Sequence, residues 1–313
     1  KVKSFDASEA LKVKGVRKVF AVKMNVFNTK REGVAVVADN TWAALQGRKA
    51  LRVEWDDSGF DHHSTETLFT ALRESLSKPG ISQKTGGDVN KAIAKGKLVE
   101  AVYETPYESH SCMEPLNCVA HVQQDHCDIW GPIQSVDLVQ GDIAGQLNLP
   151  LSNVVVNMTF LGGGFGRKAF LDYPHEAVEI SKVIGGPVQV VWSREDDMTQ
   201  GPFRPGAVHQ CRAALQGSRL TALEVKMAAQ NMDHQWPGAD KTSYNGSTTE
   251  GFPDAYYEGI PHYSFSDVPL DVPIPIMWWR SVYSSTNGFA YESFIDEAAQ
   301  AAEKDPLDFR RSM

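Results

Sequence analysis

Five consecutive residues, Gly162-Gly163-Gly164-Phe165-Gly166, constrain this chain more than any other segment. They follow on Val154-Val155-Val156-Asn157-Met158-Thr159-Phe160, whose β-branched residues read as a strand. Glycines at a strand end let the backbone approach something bulky and leave N–H groups facing an acceptor. The spacing fits neither familiar phosphate pattern. Gly162-x-Gly164-x-x-Arg167 lacks the third glycine of the dinucleotide fingerprint, and a P-loop needs four residues between its first Gly and Gly-Lys-Ser/Thr. A tight strand-to-helix connection without a ligand would also use these glycines. The aromatic residue set between them favours a ligand-facing loop.

The rest of the composition narrows the setting. A chain of 313 residues has room for roughly two domains, each with its own core. With 42% hydrophobic and 22% charged residues it is ordinary globular material, which excludes wholesale disorder. A net charge of −8 argues against nonspecific nucleic-acid or anionic-membrane binding, both of which need a basic footprint. No apolar run is long enough for a spanning helix, and the start at Lys1 has neither an initiating Met nor a signal-like segment. Cys112, Cys118, Cys127 and Cys211 fit neither paired zinc spacings nor the usual iron–sulfur runs, so they read as small buried hydrophobes.

Along the chain, residues 1–57 alternate as a small α/β piece. Its strands lie at Val19–Val22, Val34–Ala38 and Leu51–Trp55, and Asp39-Asn40-Thr41 offers an N-cap for a helix starting near Trp42. Residues 58–97 turn polar and read as a linker holding one amphipathic helix through Leu68, Leu72 and Leu76. A larger domain follows over 98–313. Strands are expected at Leu98–Glu104, Cys118–Val122, Cys127–Trp130, Val154–Phe160, Val188–Trp192 and Leu220–Ala229. Helices are expected through Val136, Val139, Ile143 and Leu147, over Glu176–Ile184 and over Phe289–Glu303. A polar, aromatic-rich stretch runs through Ser264.

Other chemistry-bearing patterns fall short. His62-His63 sit in the polar stretch, where solvated histidines are commonplace. His175-Glu176 opens a zinc-protease pattern, but Glu179 stands where the second His is required. The glycine cluster contains no serine for a nucleophile elbow. Arg194-Glu195-Asp196-Asp197 reads as a solvated helix start. Trp278-Trp279-Arg280-Ser281 reads as a packed, partly buried arginine beside two aromatics, with a structural cation–π contact as the plain explanation.

These segments together resemble the large, molybdopterin-binding subunit of the xanthine dehydrogenase/aldehyde oxidase family of molybdenum hydroxylases. Within it the chain is most similar to the isoquinoline 1-oxidoreductase β-subunit type, also called membrane-bound or periplasmic aldehyde dehydrogenase. The resemblance rests on Val34–Ala44 with Leu51–Asp56, on Tyr103–Tyr107 with His110–Pro115, and on Trp130–Ser135 with Gly162–Gly166. It continues through Val190–Asp196, Trp279–Ser281, Glu292–Glu297 and Asp305–Leu307, so it spans nearly the whole chain.

The resemblance implies an α+β fold: the C-terminal part of an α/β hammerhead over 1–57, a linker over 58–97, and the first molybdenum-cofactor-binding domain over 98–313. It implies that Gln134 hydrogen-bonds an apical ligand of the molybdenum and that Gly163, Gly164, Phe165 and Gly166 form the loop against the metal centre. It also places Arg280 beside the anionic dithiolene–pyrophosphate of the cofactor. The implied reaction is hydroxylation of aldehydes or N-heteroaromatics with water as oxygen source. The implied cofactor is molybdenum-molybdopterin in its cytosine dinucleotide form, and electrons leave through a small [2Fe–2S] subunit, with a cytochrome c as further acceptor. The implied location is periplasmic, or membrane-associated facing the periplasm. Arg167 stands where many relatives have Gly, and Ala169 where purine-oxidising relatives have a substrate-holding Glu, so purine oxidation is not expected. The family's general-base glutamate finds no match here and is expected beyond Met313, which makes the chain a fragment by expectation, inactive alone. Two other readings stand beside this one: a non-catalytic cofactor- or ligand-binding module on the same fold, and an NAD(P)-binding oxidoreductase using the glycine loop.

Overall fold

The computed structural model describes residues 1–26, 29–235, 238–242, 246–252 and 259–313. Helices and mainly antiparallel sheets mix along the chain, the α+β arrangement expected. The chain divides into two compact units, Lys1–His62 with Ser109–Pro202, and His63–Glu108 with Phe203–Met313.

In the first unit, β1 (Val2–Asp6) pairs with β4 (Arg52–Trp55), and β2 (Val16–Val26) pairs with β3 (Thr29–Ala38). Helix α1 (Thr41–Ala50) starts where expected, because the Asn40 side chain accepts the Ala43 N–H at 2.9 Å. Gly47 permits its close approach to the strands, since a Cβ there would lie 2.7 Å from Val16 Cγ2. A four-stranded sheet has the order β10 (Val188–Val191), β7 (Asn117–Val122), β8 (Cys127–Gly131), β9 (Val154–Met158). The parallel pair β8–β9 is bridged by α4 (Val136–Leu147), whose Val139 and Ile143 are buried, as their spacing requires. Helix α5 (Asp172–Ile184) packs on β7 and β10. This connectivity sets the β8–α4 turn and the loop after β9 side by side at one end of the sheet.

The second unit is a five-stranded sheet. Its order is β5 (Ile81–Gly86), β13 (His262–Pro269), β12 (Arg219–Ala229), β11 (Ala207–Gln216), β6 (Lys97–Thr105), and only β12–β13 is parallel. Helix α7 (Ser284–Ala301) buries Tyr291, Phe294, Ile295 and Ala298 against Leu223, Val225 and Phe265. Helix α2 (Thr65–Ser75) brings Phe69 and Leu72 to Val208 and Ala228. Two short helices, α3 (Val89–Ile93) and α8 (Pro306–Arg311), complete the unit.

Residues 58–97 are therefore not plain linker. They carry α2, β5 and α3, and β5 is an edge strand paired with β13. Its sequence, Ile81-Ser82-Gln83-Lys84-Thr85-Gly86, has one apolar side chain, so pairing rather than hydrophobic pattern makes the strand. The strand expected over Val154–Phe160 ends at Met158. Strands β1, β11 and β13 are additional to those expected; β13 begins inside the polar, aromatic-rich stretch, part of which lies outside the described residues. The run Arg194–Asp197 does start a helix, α6 (Arg194–Thr199), with a Ser193/Asp196 capping box, but it is not simply solvated. Asp197 is buried against Arg194 at 2.9 Å, and Asp196 pairs with Arg48. All four cysteines are buried and unbridged, as expected of small hydrophobes.

Candidate functional site

The loop after β9 has backbone conformations that explain its composition. Gly163 and Gly166 take φ of +94° and +100°, where an L side chain is strained. Phe165 adopts φ +52° without being glycine, an unusual conformation that leaves its ring partly exposed. Gly162 and Gly164 are needed for a second reason. A Cβ on Gly162 would fall 2.4 Å from Glu114 Cβ, and one on Gly164 would fall 2.5 Å from Gln134 Oε1.

Side chains from two other segments hold this loop. From the β8–α4 turn, Gln134 Oε1 accepts the N–H of Gly166 at 3.0 Å and of Lys168 at 3.2 Å, while Gln134 N–H donates to Lys168 O at 3.0 Å. From the segment before β7, Cys112 Sγ donates to Gly164 O at 3.3 Å. Glu114 in the same segment accepts the Gly162 N–H at 2.9 Å. The amide oxygen of Gln134 is thus spent on the loop, and its Nε2 donates to no described residue. The N–H groups of Gly163, Gly164 and Phe165 likewise meet no acceptor among the described residues. Free donors on a half-exposed glycine loop form a cradle for an anionic, acceptor-rich group.

Behind the loop lies a buried charge network. Arg167 is 1% exposed and forms a two-point pair with Asp172, at 2.9 and 2.8 Å, while Arg31 reaches the same carboxylate at 2.5 Å. The Arg167 guanidinium lies over the Trp192 ring, 5.2 Å from its centroid. Burial acts to raise the Asp172 carboxyl, but Arg167 and Arg31 hold it below the usual carboxylate range. Glu176, one turn along α5, behaves oppositely. Burial and the Asp172 charge push it up to about 7, against a 2.6 Å hydrogen bond from Trp192 Nε1.

Of the residues expected to bind a cofactor, Gln134, Gly163, Gly164, Phe165 and Gly166 come together in the first unit. Gly166 N–H serves Gln134 rather than standing free, so the free donors are those of residues 163–165. Arg280 belongs to the second unit and is exposed, not packed. The cation over Trp279 is Arg204, 5.4 Å from the ring centroid. Two consecutive residues after Arg280, Ser281 and Val282, take φ of +71° and +48°, so the turn carrying Arg280 is strained. Sequence reasoning missed Glu114 and Lys168. Lys168 is fully buried and its Nζ donates to Glu114 Oε2 at 2.5 Å. The only local signal was a lysine next to an apolar stretch, which ordinarily reads as surface.

The fold is that of molybdenum-containing oxidoreductases. The chain matches the aldehyde oxidoreductase of Desulfovibrio gigas with a TM-score of 0.74 at 18% identity, covering 99% of this chain and 38% of that one. It matches quinoline 2-oxidoreductase of Pseudomonas putida 86 with a TM-score of 0.71 at 19% identity, covering 100% and 44%. In sequence it is 29% identical to the membrane-bound aldehyde dehydrogenase [pyrroloquinoline-quinone] of Gluconacetobacter polyoxogenes, covering 99% of this chain. It is 28% identical to the isoquinoline 1-oxidoreductase subunit beta of Brevundimonas diminuta, covering 89%. The chain spans 42% and 37% of those two proteins. Residues 73–313 match the Molybdopterin cofactor-binding domain family, and the chain belongs to it. The resemblance read from the sequence is borne out.

Proposed function

We propose that this chain forms part of the cofactor-binding large subunit of a molybdenum hydroxylase that oxidises aldehydes or N-heteroaromatics with water as oxygen donor. One observation carries the reading: the free N–H groups of Gly163, Gly164 and Phe165 beside the free Nε2 of Gln134. Such a donor set fits a molybdenum–molybdopterin, whose pyrophosphate and metal-bound groups are anionic acceptors. When bound, the cofactor supplies a two-electron acceptor and activates water. Gln134 Nε2 would donate to the cofactor when it is bound, and Gln134 Oε1 keeps the loop in register. Phe165, strained and half-exposed, is the apolar wall that excludes water and orients a flat substrate. By the family resemblance alone, Arg280 would supply positive charge to the anionic part of the cofactor. No residue of this chain is assigned as the base.

Residues 1–57 are, in this reading, a hammerhead portion. The pterin is of the cytosine dinucleotide form, and a small [2Fe–2S] subunit with a cytochrome c carries electrons away. The location is periplasmic, on or near the membrane; no described helix is long and apolar enough to cross one. The relatives named for aldehyde and isoquinoline oxidation support this substrate class. Metal and pterin analysis of the protein from a molybdenum-cofactor-producing host is the test. Stoichiometric molybdenum with a pterin is expected. A quinone cofactor in their place, or neither metal nor pterin, overturns the proposal.

A further inference from the structure

The free donors of the glycine loop are useful only if the loop is held still, and a run of glycines loses more conformational freedom on ordering than any other sequence. Both ends of the loop converge on one carboxylate oxygen. At the front, Gly162 N–H donates to Glu114 Oε2 at 2.9 Å, and Gly162 O accepts the Glu114 N–H at 3.0 Å. At the back, Lys168 Nζ donates to the same Oε2 at 2.5 Å. Asn117 Nδ2 donates to Oε1 at 3.2 Å and fixes the carboxylate plane. Arg194 in turn donates to the carbonyl oxygens of Cys112 and Met113 at 2.5 and 2.8 Å, which anchors the segment carrying Glu114.

The ion pair is an expensive way to stabilise a fold. Lys168 is fully buried, and an apolar pair of similar volume is commonly as stable or more so. A pair that buries one charge completely, leaves Glu114 partly exposed and ties points of the chain six residues apart is better explained by the geometry it imposes. We propose that Glu114 and Lys168 are a positioning pair that sets the glycine loop for the cofactor, acting through Gly162–Lys168 without touching the reacting atoms. This rests on the cofactor reading above.

The test compares wild type, E114Q, K168M and the double variant, produced in a molybdenum-cofactor-producing host. Three readouts are used: hydrogen exchange of peptides covering residues 160–170, molybdenum and pterin content after gel filtration, and the Mo(V) electron paramagnetic resonance signal. Glutamine still accepts the Gly162 N–H but loses the charge-assisted bond to Lys168. Loss of such a bond predicts loop exchange faster by about 10-fold or more, and cofactor retention reduced to match. The resonance signal of whatever cofactor remains shifts, which a merely structural role would not produce. Because the two residues act as one unit, the double variant exchanges no faster than the worse single variant. Wild-type exchange and an unchanged signal in E114Q overturn the proposal, as do additive effects in the double variant. If K168M does not fold, E114Q still decides. A wild-type protein without molybdenum sinks the functional reading alone, since the exchange measurement needs no cofactor.

Discussion

The two units solve the problem of a stable interior in opposite ways. The second is held mainly by an apolar layer: α7 sets Tyr291, Phe294, Ile295 and Ala298 on the sheet, and one buried polar contact there, His209 Nε2 with Asn287 Oδ1 at 2.8 Å, is drawn from neutral side chains. The first unit fills its centre with charge. Arg167, Lys168 and Asp172 are all essentially inaccessible, and all three lie within one stretch of six residues that leads out of the glycine loop. Charge buried beside a loop with free donors costs stability, yet it holds backbone and side chains to one geometry. The unit that carries the candidate site concentrates this cost beside the glycine loop, whereas the buried Arg204 and Asp267 of the second unit stand apart in sequence.

The largest effect expected follows from removing a single partner in each interior. Asp172→Asn leaves Arg167 without its counterion and should destabilise the first unit by roughly 3–5 kcal/mol. Phe294→Ala opens a cavity in the second and should cost about the same, roughly 3–5 kcal/mol. The second step separates them. Arg31→Met and Arg167→Met with Asp172→Leu should recover most of the first loss, because an apolar set of like volume then replaces all three members of the network. No such partner substitution restores Phe294→Ala. Denaturant titration with hydrogen exchange resolved by unit reads both, and failure of the triple change to recover stability would break the contrast.

Acidity gives the next largest effect, with opposite signs. Glu176 has a folded value near 7, above the ordinary 4.5, so the folded state binds the proton more tightly. Its contribution is greatest below about pH 4.5 and is lost as pH rises through 7, at most about 3 kcal/mol. His209 is pushed down to about 4 by burial, so the unfolded state takes the proton first. Its contribution is present above pH 6.5 and is lost as pH falls toward 4, again at most about 3 kcal/mol. The wild-type-minus-variant stability should therefore fall with pH for Glu176→Gln and rise with pH for His209→Gln. Parallel slopes would show that the two interiors do not differ in this way.

The site was more legible in the sequence than the interior behind it. Gln134 was reached only through the family resemblance, since its bonds to Gly166 and Lys168 span 32 and 34 positions, whereas the loop Gly163–Gly166 could be read because glycines at a strand end are a local pattern. Helices α1 and α4 were legible for the same reason, from Asn40 and from the spacing of Val139 and Ile143. Strand β5 was not, because its polar residues are ordered by pairing with β13, which lies far along the chain. Glu114 with Lys168 escaped for a like reason: they meet across 54 positions. Arg280 was expected to sit against its neighbouring tryptophans, but Arg204, remote in sequence, takes the Trp279 ring. Sequence patterns report what a residue does with its neighbours, and buried charge is satisfied at long range.

The smallest effects come from helix starts, where the two units use different chemistry for one task. In the first, the neutral Asn40 side chain accepts one N–H, from Ala43 at 2.9 Å. In the second, Asp305 accepts two, from Leu307 at 2.9 Å and Asp308 at 3.1 Å, ahead of Pro306 at the first helical position. Asn40→Ala should cost about 1 kcal/mol at any salt concentration, since a neutral cap gains little from the helix dipole. Asp305→Ala should cost somewhat more, about 1–2 kcal/mol, because a carboxylate adds its attraction to the positive end of α8. That added part is electrostatic and exposed, so raising ionic strength from about 0.01 to 1 M shrinks the screening length from roughly 30 to 3 Å and should remove it. Thermal melts of both variants at the two ionic strengths would then show the Asp305 penalty falling toward the Asn40 value. A penalty for Asp305→Ala that does not respond to salt would mean that its two hydrogen bonds, and not its charge, start the helix.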